Sequence, residues 1–379
     1  MCEKDTAIGA PRPPRREELG DLHRVIAVCF GFQGEPQPQP QRHQRQRRGG
    51  MALRESRIIT VGGKPVSHIR IAYNWLSIYG MRIKAASFGG VCTDPEHRGR
   101  GIATRLLEHC IEEVTRAGAK LLIISGDRGL YLRAQAVPGG PVWSTVVRRG
   151  SSPAASAALT ARATGPDDAL TLARLHQREP VRYLRSADFF ASVMRNGHRQ
   201  PWVLESNGEV VAYLSMSRIW GIPRTAPVRA LGEYAGSRAA LVEGLDAVLR
   251  AAGLEEIRFG FPAHDAEMTH LFRSRGADLE PDTIEGHTFR LLEVPGLLRA
   301  LRPHCAARLP ASAVRGLSAQ PSGKRICLRL GSEEAALGLS EMGALVFGGP
   351  EAPTIGGDLG SALARVFPVP LPLPGFNYV

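Results

Sequence analysis

Apolar positions along this chain keep two different rhythms. From Arg15 to Cys29, Leu19, Leu22, Val25, Ile26 and Cys29 recur at three- and four-residue spacing, which predicts a helix. Three strand-like runs follow, SRIITV (56–61), PVSHIRIAY (65–73) and RIKAASFGGVCT (82–93); Gly62-Gly63 between the first two is a hairpin signal. Past residue 101 the helical period returns. Ile102, Ala103, Leu106, Leu107, Cys110, Ile111 and Val114 share one face, Arg105, Glu108, Glu112 and Arg116 lie opposite, and Gly118 marks the end. A buried-type strand, KLLIIS (120–125), and a short helix holding Tyr131 complete the series.

The same order then repeats. LVEGLDAVLRAAGLEEIRF (241–259) matches LLEHCIEEVTRAGAKLLII (106–124) as helix, glycine stop and strand, and WVLESNGEVVAYLSM turns at Asn207-Gly208 like a second hairpin. Between the copies, GSSPAASAALTARATG (150–165) is small and polar enough for a linker. A third segment, from about Leu297, holds strand-like KRICLRLG (324–331), a helix candidate after Ser340 and a proline-rich end, FPVPLPLPGFNYV. At 379 residues the chain exceeds what one core supports. The expected units are 1–149, with a disordered polar insert at 36–50, then a linker at 150–165, then 166–296 and 297–379.

Composition removes several function classes. No run approaches 18 apolar residues and the N-terminus lacks an apolar signal core, so the expectation is a cytoplasmic protein with no membrane segment. Six scattered cysteines without a CxxC argue against a zinc site and a disulfide framework, and no metal is expected. The net charge of +12 invites a nucleic-acid reading, but four of those charges sit in PQPQPQRHQRQRRGG (36–50); twelve less four leaves +8 elsewhere. With no aromatic interleaving and no DNA-binding signature, nucleic acid is an unfavoured partner, and a cationic surface also suits a phosphorylated ligand.

The chemistry concentrates in VCTDPEHRGRGIATRLLEH (91–109). A strand that breaks into a glycine loop and then a helix aims several backbone N–H groups at one place, and the helix dipole adds positive charge there. Side chains at Gly99 or Gly101 would hold a ligand off those donors, and Arg98 and Arg100 add charge beside them. That is a cradle for a pyrophosphate. Neither GxxxxGK[ST] nor GxGxxG is present. Taken alone, the residues also admit an RNA-binding Arg-Gly segment or a purely structural turn.

The string resembles the acetyl-coenzyme A loop of the GNAT acetyltransferase superfamily, R/Q-x-x-G-x-G/A, with Arg98, Gly101 and Ala103 on the pattern. The resemblance implies an α+β fold and an acetyl-coenzyme A site at Val91, Cys92, Thr93, Arg98, Gly99, Arg100, Gly101, Ile102, Ala103 and Thr104. Two such units followed by a small tail domain resemble the enhanced-intracellular-survival (Eis-like) family. That likeness implies tandem GNAT folds with a degenerate second copy and a sterol-carrier-protein-like C-terminal domain. The second copy reads GEYAGSRAALV ahead of its helix, without the cradle, and puts Phe272 where the first has Tyr131.

The resemblance further implies direct transfer to an amine. Tyr131 is the candidate acid for the departing thiolate, with a packing tyrosine as its alternative. Backbone N–H groups of Val91 and Thr93 would hold the thioester and pantetheine arm, so Cys92 need not be a nucleophile. His97, Glu96 and Asp94 lie near the loop as bases, but the resemblance points to the terminal carboxylate of Val379, presented by a proline-stiffened tail; the alternative is a tail that only docks a neighbouring domain or subunit. Two other classes remain: a non-catalytic acyl-coenzyme A sensor, and a basic protein binding nucleic acid through residues 41–48. The acceptor amine and the oligomeric state are not legible, although the resemblance allows a homo-oligomer.

Overall fold

The computed structural model describes residues 7–31, 51–151, 159–196, 201–217 and 226–377. The 36–50 insert, Tyr378 and Val379 lie outside the described residues. A single turn of 3-10 helix leads into α1 (Leu19–Phe30), and the short α2 (Met51–Glu55) runs into strand β1 (Ser56–Val61). Next come a long hairpin of β2 (Lys64–Ile78) and β3 (Met81–Thr93), helix α3 (Ile102–Arg116), strand β4 (Leu121–Ser125), the short helix α4 (Gly129–Arg133) and strand β5 (Pro141–Arg148).

The second half repeats the theme. It contains β6 (Leu159–Ala163), α5 (Ala169–Gln177), β7 (Val181–Tyr183), α6 (Ala187–Asn196), β8 (Trp202–Ser206), β9 (Glu209–Ser217) and β10 (Val228–Gly236). Then follow α7 (Arg238–Ala251), β11 (Glu256–Pro262), α8 (Ala266–Ser274), β12 (Glu280–Thr283) and β13 (His287–Leu291). The last segment has α9 (Val294–Ala300), α10 (Arg302–Ala306), α11 (Ala311–Gly316), the meander β14 (Ser318–Ser322), β15 (Arg325–Leu330) and β16 (Glu333–Gly338), and α12 (Leu339–Phe347) and α13 (Gly357–Val366).

Helix α3 forms where the sequence pattern put it. Leu106, Leu107, Cys110, Ile111 and Val114 are buried against Ile69, Ile71, Phe88 and Ile124 of the sheet, each large side chain contributing roughly 1.5–3 kcal/mol by leaving water. It is the crossover between β3 and β4, which are parallel, while β1–β2–β3 are antiparallel neighbours. Helix α7 does the same between parallel β10 and β11, beside antiparallel β8, β9 and β10. The duplication read in the sequence is therefore a duplication of topology.

The two copies are not separate along the chain. Strand β13, from the second half, pairs with β4 and closes the first sheet, in the order β1-β2-β3-β4-β13; β5, from the first half, pairs with β11 and lies within the second, in the order β12-β5-β11-β10-β9-β8-β6. The boundaries expected at 149 and 296 divide the sequence but not the sheets. Part of the expected linker is also structured, since Leu159–Ala163 pairs with β8 and its Leu159 and Ala161 pack on the second core. Its apolar alternation, Leu159, Ala161 and Ala163, is mostly alanine and does not stand out in a run of small side chains.

Candidate active site

Two discontinuities in the first sheet make the site. Pairing between β3 and β4 runs only from Ala85–Leu121 to Phe88–Ile124, so among the described residues Gly89–Thr93 continues with β2 on one side and no strand on the other. The second discontinuity is the loop after β3. Asp94 opens a single 3-10 turn, Pro95–His97, by accepting from the Glu96 N–H at 3.2 Å, and Gly99 and Gly101 then take left-handed conformations, φ +74 and +72. Gly101 is the N-cap of α3, and it offers no side-chain acceptor.

Among the described residues, no acceptor pairs with the backbone N–H groups of Gly99 through Thr104. A Cβ added at Gly99 or Gly101 would meet nothing within 4 Å. The glycines are therefore required by backbone angle, not by crowding inside the chain. Arg98, Gly99, Arg100 and Gly101 are exposed, Ile102 is buried and anchors the helix, and Thr104 sits at the surface. The Arg98 Nε donates to the Thr93 carbonyl at 3.1 Å, which ties loop to strand.

Helix α7 shows what a closed version of this end looks like. The Ser237 hydroxyl accepts from the Ala240 N–H at 3.2 Å, and Arg238 is clamped by Glu179 at 2.5 Å and Asp265 at 3.0 Å. A cavity of about 750 Å³ opens there, with Arg178, Arg182 and Arg238 beside Glu179, Glu233 and Asp265 on its walls. The missing cradle seen in GEYAGSRAALV is thus a helix terminus that satisfies itself.

Tyr131 lies on α4 and is 1% exposed. Its ring covers Gly126, the residue after β4, where a Cβ would come within 2.9 Å of the ring. Strand β13 brackets this tyrosine from both sides. The Thr288 hydroxyl donates to the Gly126 carbonyl at 3.1 Å, and the Arg290 Nε donates to the Ala134 carbonyl at 2.7 Å. Arg128, one residue ahead of α4, reaches the Val91 carbonyl at 3.5 Å. The counterpart in the second copy, Phe272, packs on Phe259 and Phe261.

The other expected residues are buried and fastened. Val91, Cys92 and Thr93 are all under 9% exposed, so they present backbone rather than side chain. The Ser67 hydroxyl sits 3.0 Å from the Cys92 carbonyl and 2.9 Å from the Thr93 hydroxyl. Burial, and then the neighbouring Cys29, push the Cys92 thiol far above its ordinary value, which suits a packing residue rather than a thiolate. The Asp94 carboxylate, a base candidate, is taken up by its capping bond and by Arg24 at 3.6 Å.

Sequence reasoning missed the anchor of the C-terminal tail. Arg185 is buried to 1% in its side chain, forks onto Glu233 at 2.7 and 2.9 Å, and is surrounded by the rings of Tyr183, Phe189, Phe190 and Phe376. Burial opposes ionisation of Glu233, but the Arg185 guanidinium and the Phe376 N–H at 2.9 Å outweigh it and hold the carboxyl below its ordinary value. From this pair the Arg185 Nε donates to the Asn377 side chain at 2.6 Å, Asn377 donates to Asn74 at 2.8 Å, and Asn74 donates to Ser87 at 3.1 Å. The C-terminal tail is thereby fixed to β2 and β3. No local signal in the sequence connects these residues, which come from four distant segments.

Fold and site together define a two-copy α+β architecture in which one copy carries an uncapped helix N-terminus beside a splayed strand pair. Residues 10–133 match the model of the acetyltransferase (GNAT) domain family, and this part of the chain is such a domain. Over nearly its whole length the chain has the fold of a GCN5-related N-acetyltransferase from Kribbella flavida, at 16% identity, TM-score 0.66 and 98% of both chains. A GCN5-related N-acetyltransferase from Anabaena variabilis gives 13%, 0.65, and 97% of this chain with 99% of that one. Eis1 from Mycobacterium abscessus gives 14%, 0.57 and 89% of both. At such identities the likeness is one of fold. No curated protein matches the chain. Among the described residues, no cluster of three or more histidine, cysteine or acidic side chains could hold a metal, and no helix is long and apolar enough to cross a membrane.

Proposed function

We propose that the protein is an N-acetyltransferase that moves an acetyl group from acetyl-coenzyme A directly to an amine. The observation that carries the reading is the contrast between α3, whose first-turn N–H groups are left open behind two left-handed glycines, and α7, which Ser237 caps. Open N–H groups at a helix N-terminus, flanked by Arg98 and Arg100, fit a pyrophosphate. The splay between β3 and β4 then offers a path for the pantetheine arm, ending where Tyr131 is held.

The neutral amine nitrogen attacks the thioester carbonyl carbon, the carbon–sulfur bond breaks, the thiolate takes a proton from the Tyr131 hydroxyl, and the proton that the acylated nitrogen sheds restores the phenol. An alkylammonium near pKa 10.4 must first lose a proton, which calls for a base. The Val379 carboxylate is our candidate, since Phe376 and Asn377 are anchored three and two residues before it on Glu233, Arg185 and Asn74. Acceptors of the class taken by the Eis-like family, aminoglycosides and protein lysines, are the first to try. We assign the second copy a structural part, closing the first sheet with β13 and anchoring the tail. A cytoplasmic location and a sterol-carrier-like third domain belong to the same proposal.

The test is thiol release from acetyl-coenzyme A in the presence of a panel of amines. Release that depends on an amine supports the reading, and binding without release favours the sensor. Absence of both binding and release would overturn it.

A further inference from the structure

Register in the β2–β3 hairpin slips at one place. Arg70 faces Gly89 and His68 faces Cys92, so Gly90 and Val91 together oppose the single residue Ile69. This is a β-bulge, and Gly90 takes φ +58 to make it. The bulge lies in the stretch where β3 has left β4.

His68 is built into that bulge. It is 4% exposed; its Nδ1 lies 2.9 Å from the Gly90 carbonyl oxygen and its Nε2 lies 3.0 Å from the Ser56 hydroxyl. A carbonyl can only accept, so Nδ1 carries the proton, and Nε2 then accepts from Ser56, itself 7% exposed. A Cβ on residue 90 would sit 3.3 Å from the imidazole Cε1, tighter than such contacts ordinarily are, so the ring and the bulge fit only with glycine there. Burial pulls the imidazole down to about 4, which keeps it neutral and the tautomer fixed at any ordinary working pH.

In a trans peptide the carbonyl and the next N–H point in opposite directions. With the Gly90 carbonyl drawn to His68, the Val91 N–H of the same peptide points the other way. We propose that His68 is a positioning residue for acyl transfer: by holding the Gly90 carbonyl it aims the Val91 N–H into the gap between β3 and β4, where the thioester carbonyl has to lie. The inference rests on the acetyltransferase reading.

The experiment compares the wild type with His68→Leu, which keeps bulk without a donor, and His68→Asn, whose side-chain amide places a donor near the Nδ1 position. Steady-state kinetics with acetyl-coenzyme A and the best amine should show kcat of the leucine variant reduced 10- to 100-fold with KM for acetyl-coenzyme A within about twofold, and the asparagine variant recovering most of the loss. Should the leucine variant fold poorly, the wild-type protein still decides the matter. Nitrogen NMR of the ring must show Nδ1 protonated, and the Val91 amide must shift on adding acetyl-coenzyme A. A leucine variant with unchanged kcat, an asparagine variant no better than leucine, a proton on Nε2, or a silent Val91 amide each overturns the role. If the wild type itself neither binds nor turns over acetyl-coenzyme A, it is the acetyltransferase reading that fails, and the positioning role falls with it.

Discussion

The side-chain amide of Asn377 donates to the Asn74 carbonyl oxygen at 2.8 Å, across 303 residues of sequence. Asn74 in turn donates to Ser87, one residue before the last pair that joins β3 to β4. The end of the chain is thus registered against the strand that carries the site. Replacing Asn377 by Ala should loosen the tail without touching the cofactor cradle. The expected result is a several-fold fall in kcat/KM for the amine, with acetyl-coenzyme A affinity by calorimetry unchanged.

Arg185 supports the same tail from below. Its partner Glu233 also accepts from the Tyr213 hydroxyl at 2.9 Å, so truncating Arg185 leaves a buried carboxylate with too few counter-charges. Arg185→Ala should cost about 3–5 kcal/mol, read as the denaturant midpoint, and Arg185→Lys should lose much of the same stability because an ammonium cannot fork onto two carboxylate oxygens.

Tyr131→Phe removes the hydroxyl while the ring remains seated on Gly126. Thiol release should fall about 10²- to 10⁴-fold, with binding of acetyl-coenzyme A retained. Unaltered turnover would return Tyr131 to the role of a packing residue.

Gly101→Ala tests the cradle. The left-handed angle at residue 101 costs a side chain about 1–2 kcal/mol, and its Cβ would enter the space assigned to the pyrophosphate. Acetyl-coenzyme A should bind at least tenfold more weakly. Ser237→Ala, at the matching point of the second copy, should cost about 1 kcal/mol of stability and leave that affinity alone.

Acid should weaken the fold before any carboxylate titrates. Burial lowers His68 and His176 to about 4 from 6.5 and lowers His264 and His304 as well. A group depressed in the folded state binds its proton first in the unfolded one. Its stabilisation is therefore complete above pH 6.5, and for His68 and His176 it is lost progressively down to about 4. Each of these two can remove up to roughly 3 kcal/mol. Unfolding free energy measured in urea should be flat from pH 8 to 7 and decline below 6.5; a curve that stays level to pH 4.5 contradicts the assignment of neutral buried histidines.

The sequence by itself determined whatever depends on neighbours in the chain. The stripe of α3, the Asn207-Gly208 hairpin, the glycine loop and the repeated helix–stop–strand order all follow from periodicity and from backbone angles that only glycine takes easily, and those are local quantities. Tyr131 was legible for the same reason, a few residues past a strand end. Its surroundings were not: Thr288 and Arg290 bond the Gly126 and Ala134 carbonyls on either side of it because β13 leaves one half of the chain to complete the sheet of the other, an exchange that no period records. The bulge at Gly90 needed His68 from the opposite strand to become visible, and the Arg185–Glu233–Asn377–Asn74 chain joins residues with no common motif. Hydrogen bonds and ion pairs of this kind become favourable only after the cores have closed and excluded water, so tertiary structure alone could decide them.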